Sequence, residues 1–213
     1  MIFMGLDTET ANGLDEGRDL TQSLVYDLGY KIFSEDGTTL VRRSFVIWDI
    51  FCAEPQMMKE SYFAEKIPQY WEDIKNGSRK LVQYSTAMRQ LREDVKKYGV
   101  NVAFAHNSNF DITALNNTSR WLSKSKFRYA LPYGLPMVDT LALAREKFGA
   151  DEDYIAFYEE NGYMTKHRRP QPRFTAEVLY RYFSGNNDFT ESHTGLEDVE
   201  IETEIFKNVF NFN

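Results

Sequence analysis

Residues 1–10 read MIFMGLDTET, and the fold turns on how this stretch is taken. Met1 to Leu6 is almost wholly apolar, as in a strand entering a core. The chain then sets down Asp7 and Glu9 with one residue between them. Side chains two apart on a strand share a face, so the two carboxylates converge on one point. A second Asp-x-Glu occurs at Asp198 and Glu200, but inside a helical pattern. There, two steps of about 100° each turn the side chains roughly 200° apart. Only the first pair can build a site, although on its own it also suits a solvated strand end.

Residues 2–8 therefore read as a buried strand. SLVYDLGYKIFSEDGTTLVRRSFVIW follows as a hairpin, with Asp36-Gly37 as its turn signal. Residues 49–85 are aromatic-rich, with a short helix expected to break at Pro68. In TAMRQLREDVKKYG, Met88, Leu91, Val95 and Tyr98 recur at helical spacing and Gly99 supplies a stop. VNVAFAH is a short buried strand leading to a helix from about Asp111 to Lys124. MVDTLALAREKFG reads as a strand end running into a helix closed by Gly149. Residues 150–173 read as irregular. TAEVLYRYF is a helix ending near Gly185, and a last helix runs from about Gly195 to Phe210. Three strands followed by alternating helices and strands predict a mixed sheet flanked by helices. Trp48, Trp71 and Trp121 are expected in the core.

With 213 residues, one domain over 1–213 is expected, with insertions at about 49–85 and 150–175. A net charge of −7 argues against a broad, unspecific grip on nucleic acid. It does not exclude a nucleic-acid enzyme whose acids hold metals. The single cysteine, Cys52, excludes an internal disulfide and a cysteine-rich zinc site. No apolar run reaches the roughly 18 residues of a membrane span, and no basic lead precedes the first apolar stretch. A soluble, cytoplasmic protein without membrane partners is expected.

Two further stretches carry chemistry. In AHNSNFD (105–111) a buried strand runs into a polar loop, and Asp111 falls at a helix start. An acid there also favours the helix dipole without any further role. In ESHTGLEDVEIETEIF (191–206) His193 precedes a helix and Asp198 lies five positions later. A histidine outside the helix can fold back over the face that carries Asp198.

Taken in order, GLDTET, AHNSNFD and HTGLED resemble the motifs of the DEDD family of 3′→5′ exonucleases, in the branch whose last motif is His-x4-Asp. VDTLALAR (138–145) and the hairpin LGYKIFSEDGTTL also fit. AEVLYRYF and FTESHTGLEDVEIE look most like standalone exonucleases encoded by phages of Gram-positive bacteria. The resemblance spans most of residues 2–210 and covers 49–85 and 150–175 poorly. It implies a ribonuclease H-like α/β fold, a five-stranded mixed sheet with helices on both faces. It implies Asp7, Glu9, Asp111 and Asp198 as ligands of two Mg²⁺ or Mn²⁺ ions, and His193 as general base. It also implies substrate contacts from Thr8, Thr10, Asn107 and Phe110, with Phe110 placed to stack on a terminal base.

The chemistry is coherent with those residues. Hard divalent cations take oxygen ligands, and two of them can serve both ends of an in-line phosphodiester displacement. Without metal, four crowded carboxylates would repel one another and raise one another's pKa. Cations reverse that local sign, which lets an acidic chain take a polyanion. The basic stretches TKHRRPQPR (165–173) and RWLSKSKFR (120–128) are candidate phosphate contacts. His167 has no motif and no assigned role, and His106 is the alternative base. The implied activity is release of nucleoside 5′-monophosphates from 3′ ends of single-stranded DNA. The alternatives are an exoribonuclease acting on RNA ends or short oligoribonucleotides, and a non-catalytic interaction module. A polymerase partner is compatible with the motifs but not indicated, since no Gly/Pro-rich tether follows residue 210.

Overall fold

The computed structural model describes residues 1–11, 23–125 and 128–210. The opening strand, β1 (Ile2–Ala11), lies inside a six-stranded sheet. On one side it pairs antiparallel with β2 (Leu24–Ser34), which pairs antiparallel with β3 (Thr39–Ile47). On the other it pairs parallel with β5 (Val102–Ala105), which pairs parallel with β6 (Met137–Asp139). The hairpin forms where expected: Gly37, at φ 87°, donates its N–H to the Ser34 carbonyl at 2.8 Å. The sixth strand is β4 (Lys80–Val82), parallel to β3 at the sheet edge. Five strands were expected. The extra one is three residues of the 49–85 segment, too short to leave a periodic pattern.

Between β3 and β4 lie α1 (Trp48–Phe51), α2 (Pro55–Lys59), a 3₁₀ turn (Ala64–Lys66) and α3 (Ile67–Asn76). Pro68 opens α3 rather than breaking a helix, because a first-turn residue has no intrahelical bond to lose. The chain continues with α4 (Tyr84–Tyr98) and α5 (Ser108–Ser123). After β6 come α6 (Thr140–Phe148), α7 (Glu152–Asn161), α8 (Ala176–Ser184) and α9 (Gly195–Val209). Helix α7 falls in a stretch read as irregular. The Asp151 carboxylate accepts from the Tyr154 N–H, Gly162 closes the helix at φ 69°, and Tyr154 and Tyr158 are buried. The three tryptophans are not core residues: Trp48, Trp71 and Trp121 are 45, 46 and 54 % exposed.

Alternation along β1 sorts the two faces of the sheet. Met4 and Leu6 join Met88 and Leu91 of α4 and Ala114 and Leu115 of α5 in one buried cluster. Phe3 points the other way, 5.2 Å from the Phe206 ring of α9. Phe206 also stacks on Phe104 of β5, at 4.0 Å and 2°. Asp7 and Glu9 continue the Phe3 face, so the acids emerge on the side covered by α9. Where α9 begins, its backbone touches the sheet. A Cβ on Gly29 would lie 2.2 Å from both the Gly195 carbonyl carbon and the Leu196 nitrogen. A Cβ on Gly195 would lie 2.7 Å from the Gly29 nitrogen. Gly29 in turn pairs with Asp7 across the β1–β2 ladder. We therefore expect Gly29→Ala to lose about 4 kcal/mol or more in urea unfolding, a loss reserved for substitutions that nothing can accommodate. A Gly29→Ala protein of wild-type stability would mean that α9 does not approach so closely.

Candidate active site

The site forms where β1 runs out. Asp7 and Glu9 share the α9 face of the strand, and α9 brings Asp198 and, one turn later, Glu202 to the same side. The strand ladder shifts register between Glu9 and Thr10. Thr8 points to the opposite face. Its main-chain N–H and its hydroxyl both donate to one oxygen of Asp111, at 3.0 and 2.8 Å. Asp111 is thus fastened to β1 from the first turn of α5. The turn into α5 passes through Asn107 at φ 69°, whose N–H donates to Asp139 at 3.1 Å. Asp139 also caps α6, accepting from Leu141 and Ala142. The aspartate of VDTLALAR therefore holds the loop that delivers Asp111.

The third motif is folded around its own acid. Asp198 accepts from the Ser192 hydroxyl and from the Thr194 N–H, both at 3.0 Å. His193 lies between those two donors, at φ 49°. One ligand atom each from Glu9, His193 and Asp198 lie within 4.8 Å of one another. Half-buried Asp7 interacts electrostatically with Glu9 and Asp198 of this group and with buried Asp111. One Asp7 oxygen, Oδ2, is buried without a hydrogen-bond partner. A hard donor set with an unpartnered buried carboxylate oxygen fits a divalent cation held by Asp7, Glu9, Asp111 and Asp198. The cleft above has a volume of about 850 Å³, and Thr8, Thr10, Asn107 and Phe110 all line it.

The electrostatics are those of a crowded acid pocket. Burial first, and neighbouring acids second, push Glu9 up to about 9. Asp111 and Asp198 are each raised to about 7, mainly by burial and despite the hydrogen bonds they accept. Asp7 is raised well above the carboxylate range by burial and then by Glu202, Asp111, Glu9 and Asp198. His193 moves the other way. Burial, then the Lys66 ammonium, lower it from the ordinary 6.5.

Two carboxylates of this pocket escaped sequence reasoning. Glu202 is 3 % exposed, with Oε2 unpartnered, and it is the largest electrostatic neighbour of Asp7. The signal for it was present: Glu202 lies four residues from both Asp198 and Phe206, on the inward stripe of α9. Glu191, two residues before His193, sits with its Oε2 3.8 Å from His193 Nδ1 and is raised to about 8 by burial and Asp198. It lies in an irregular loop, where no periodicity marks it. Glu200 points away, as expected, and pairs with Lys31 at 2.6 Å and Arg42 at 2.8 Å. His106 has both ring nitrogens engaged, by Thr140 Oγ1 at 3.0 Å and the Phe174 carbonyl at 2.7 Å, and is set aside as a base. Of the basic stretches, Arg173 lines the cleft together with Arg145. Arg128 instead lines a separate cleft with Arg92 and Tyr129, and residues 126 and 127 lie outside the described residues.

No protein-family model and no curated protein sequence matches the chain. Among solved structures it is similar to E. coli Exonuclease I in complex with a dA16 oligonucleotide. That match has 12 % identity and a TM-score of 0.52, and covers 98 % of this chain and 41 % of the other. The chain thus spans about two fifths of that protein. It is also similar to Exonuclease X in complex with 5′ overhanging duplex DNA, at 14 % identity and a TM-score of 0.43. Coverage there is 98 % of this chain and 91 % of the other. At such identities the first match speaks to fold alone, a ribonuclease H-like mixed sheet flanked by helices, and the second adds no weight. Among the described residues no helix is long and apolar enough to cross a membrane.

The raised carboxyls set a pH dependence. Each binds its proton more tightly folded than unfolded, so folding is favoured when they are protonated. Stability should fall as pH rises above the ordinary carboxylate values and keep falling through about 7 for Asp111 and Asp198, 8 for Glu191 and 9 for Glu9. In EDTA, melting temperature should decline between pH 5 and 9, and Mg²⁺ or Mn²⁺ should flatten the decline. Glu202→Gln, which removes one repelling charge, should melt above wild type at pH 8 in EDTA. A flat wild-type profile would show these acids to be solvated.

Proposed function

We propose that the protein is a metal-dependent 3′→5′ exonuclease of the DEDD type, releasing nucleoside 5′-monophosphates from single-stranded DNA ends. The observation that carries this is the convergence of Asp7, Glu9, Asp198 and His193 on one cleft, with Asp111 fastened to Thr8 and interacting with Asp7. Composition alone gives no reason for four acids to meet, with Asp111 and Asp198 buried and Asp7 and Glu9 half-buried. The fold likeness to an exonuclease bound to an oligonucleotide supports the same reading.

Two Mg²⁺ or Mn²⁺ ions, held by Asp7, Glu9, Asp111 and Asp198, would neutralise the pocket and stabilise charge on the attacking and leaving oxygens. The chain's own residues do the rest. His193 is lowered below its ordinary value, so at neutral pH it is unprotonated and can take the proton of the attacking water. The water oxygen bonds to phosphorus as the bond to the 3′ oxygen breaks, and the 5′-phosphate leaves on the terminal nucleoside. The imidazolium formed lies beside Glu191, whose Oε2 is 3.8 Å from Nδ1. Phe110, half-buried at the cleft wall, offers an apolar face to the terminal base, and Arg145 and Arg173 offer charge to phosphates.

The test is digestion of end-labelled single-stranded DNA and RNA with Mg²⁺, Mn²⁺ or EDTA. Mononucleotides should be released from the 3′ end of DNA, and none should appear in EDTA. Preference for RNA would make the enzyme an exoribonuclease, and no release from either would leave an interaction module. Asp7→Ala should abolish cleavage. His193→Ala should lose about 10²–10⁴-fold in single-turnover rate, the usual contribution of a general base, while binding metal and strand normally. Glu200→Ala should keep its rate. If it lost as much as Asp198→Ala, the assignment of acids on α9 would be wrong.

A further inference from the structure

The imidazole of His193 is gripped by a segment that the motifs do not include. Its ring lies flat on Phe63, with centroids 4.6 Å apart and planes at 18°. Phe63 precedes the 3₁₀ turn at Ala64–Lys66, inside the 49–85 insertion. From the end of that turn, the Lys66 ammonium donates to the main-chain carbonyl of Ser192 and, at 3.3 Å, to that of His193. The same ammonium sits 4.9 Å over the Phe63 ring. The insertion is itself anchored beside the motif. Tyr70 of α3 donates to Asp27 at 2.8 Å, and Asp27 accepts from the Gly195 N–H at 3.0 Å.

These contacts answer a specific need. A histidine at φ 49° is a left-handed non-glycine residue, which costs about 1–3 kcal/mol and persists only where its surroundings determine it. Asp198 fixes the loop backbone from within, through Ser192 and Thr194. Those bonds leave the ring free to rotate, and the ring is 41 % exposed on its side chain. Glu191 touches one edge of it, at 3.8 Å. The flat face is fixed by Phe63.

We propose that Phe63 is a positioning residue, which holds the His193 imidazole against Glu9 and Asp198 by stacking on it. The 49–85 insertion is then part of the active site rather than a decoration on it. The inference rests on the nuclease reading for its kinetic consequence, but not for the contact itself.

Phe63→Leu keeps an apolar side chain and removes the flat ring, and Phe63→Tyr restores the ring. Single-turnover kinetics should show Phe63→Leu losing on the order of 10²-fold in kcat, the cost of misplacing a reacting group by about 1 Å, with KM near wild type. Phe63→Tyr should recover most of that loss. In a His193→Ala background Phe63→Leu should add nothing, because its effect passes through the imidazole. The second readout needs no activity. The chain has three histidines, so the His193 ring signal is identified in a proton–carbon NMR spectrum by its loss in His193→Ala. Phe63→Leu should move that signal out of its ring-current-shielded position, in EDTA as in metal, and Phe63→Tyr should not. An unmoved signal would overturn the proposal. So would a raised KM with unchanged kcat, which would make Phe63 a platform for bases, or an equal loss in the His193→Ala background. A wild-type protein that cleaves nothing, but whose His193 signal moves as described, would overturn the nuclease reading alone and uphold the contact.

Discussion

The backbone contact between Gly29 of β2 and Gly195 at the start of α9 governs how the acidic end of the molecule is assembled. There is no room for a Cβ on either residue. The contact sets the height of α9 over the sheet, and with it the distance from Asp198 and Glu202 to Asp7 and Glu9. It is reinforced by Asp27, two residues before Gly29, which accepts from the Gly195 N–H. Phe206 continues the same register three turns later by filling the space against Phe3 and Phe104. The helix is thus pinned at one end by hydrogen bonds and at the other by aromatic packing, and between them it buries Asp198 and Glu202 among apolar residues.

The order of the three acidic motifs and the strand-helix alternation were legible because each rests on local patterning. Asp7 and Glu9 could be paired from strand period alone, and Asp198 separated from Glu200 by helix period. What could not be read comes from tertiary contact. Phe63 carries no periodic signal connecting it to His193. Strand β4 owes its existence to the β3 edge rather than to its own three residues. Helix α7 was obscured because its buried residues are tyrosines, interleaved with acids in a stretch without aliphatic periodicity beyond Ile155. The tryptophans erred the other way. Large aromatic side chains are a prior for burial, and here three of them stand about half exposed.

The chain treats its buried acids in two different ways, and the contrast bears directly on function. Asp27 is fully buried, yet Oδ2 accepts from Tyr70, from Gly195 and from Arg79, the last at 2.9 Å. Arg79, 2 % exposed, reaches Glu197 and Asp73 as well. That is a compensated charge, and breaking such a pair typically costs about 3–5 kcal/mol. Glu202 is almost as deeply placed and Asp7 is half-buried; like Asp27, each has one carboxylate oxygen with no partner, but the largest electrostatic neighbour of Asp7 is the acid Glu202, where that of Asp27 is Arg79. Burial and other acids are the largest causes of the shift in each of them. A chain able to build the Asp27–Arg79 pair on one side of Glu9 has left the other side uncompensated. Unsatisfied buried carboxylates destabilise a fold unless protons or cations neutralise them. Protonation would do so only while the pH stays below the raised values, and those acids would then be poor ligands. A divalent cation removes the repulsion at neutral pH and keeps the oxygens ionised. The excess of acid at this one point is therefore better understood as half of a binding equilibrium than as a defect of packing.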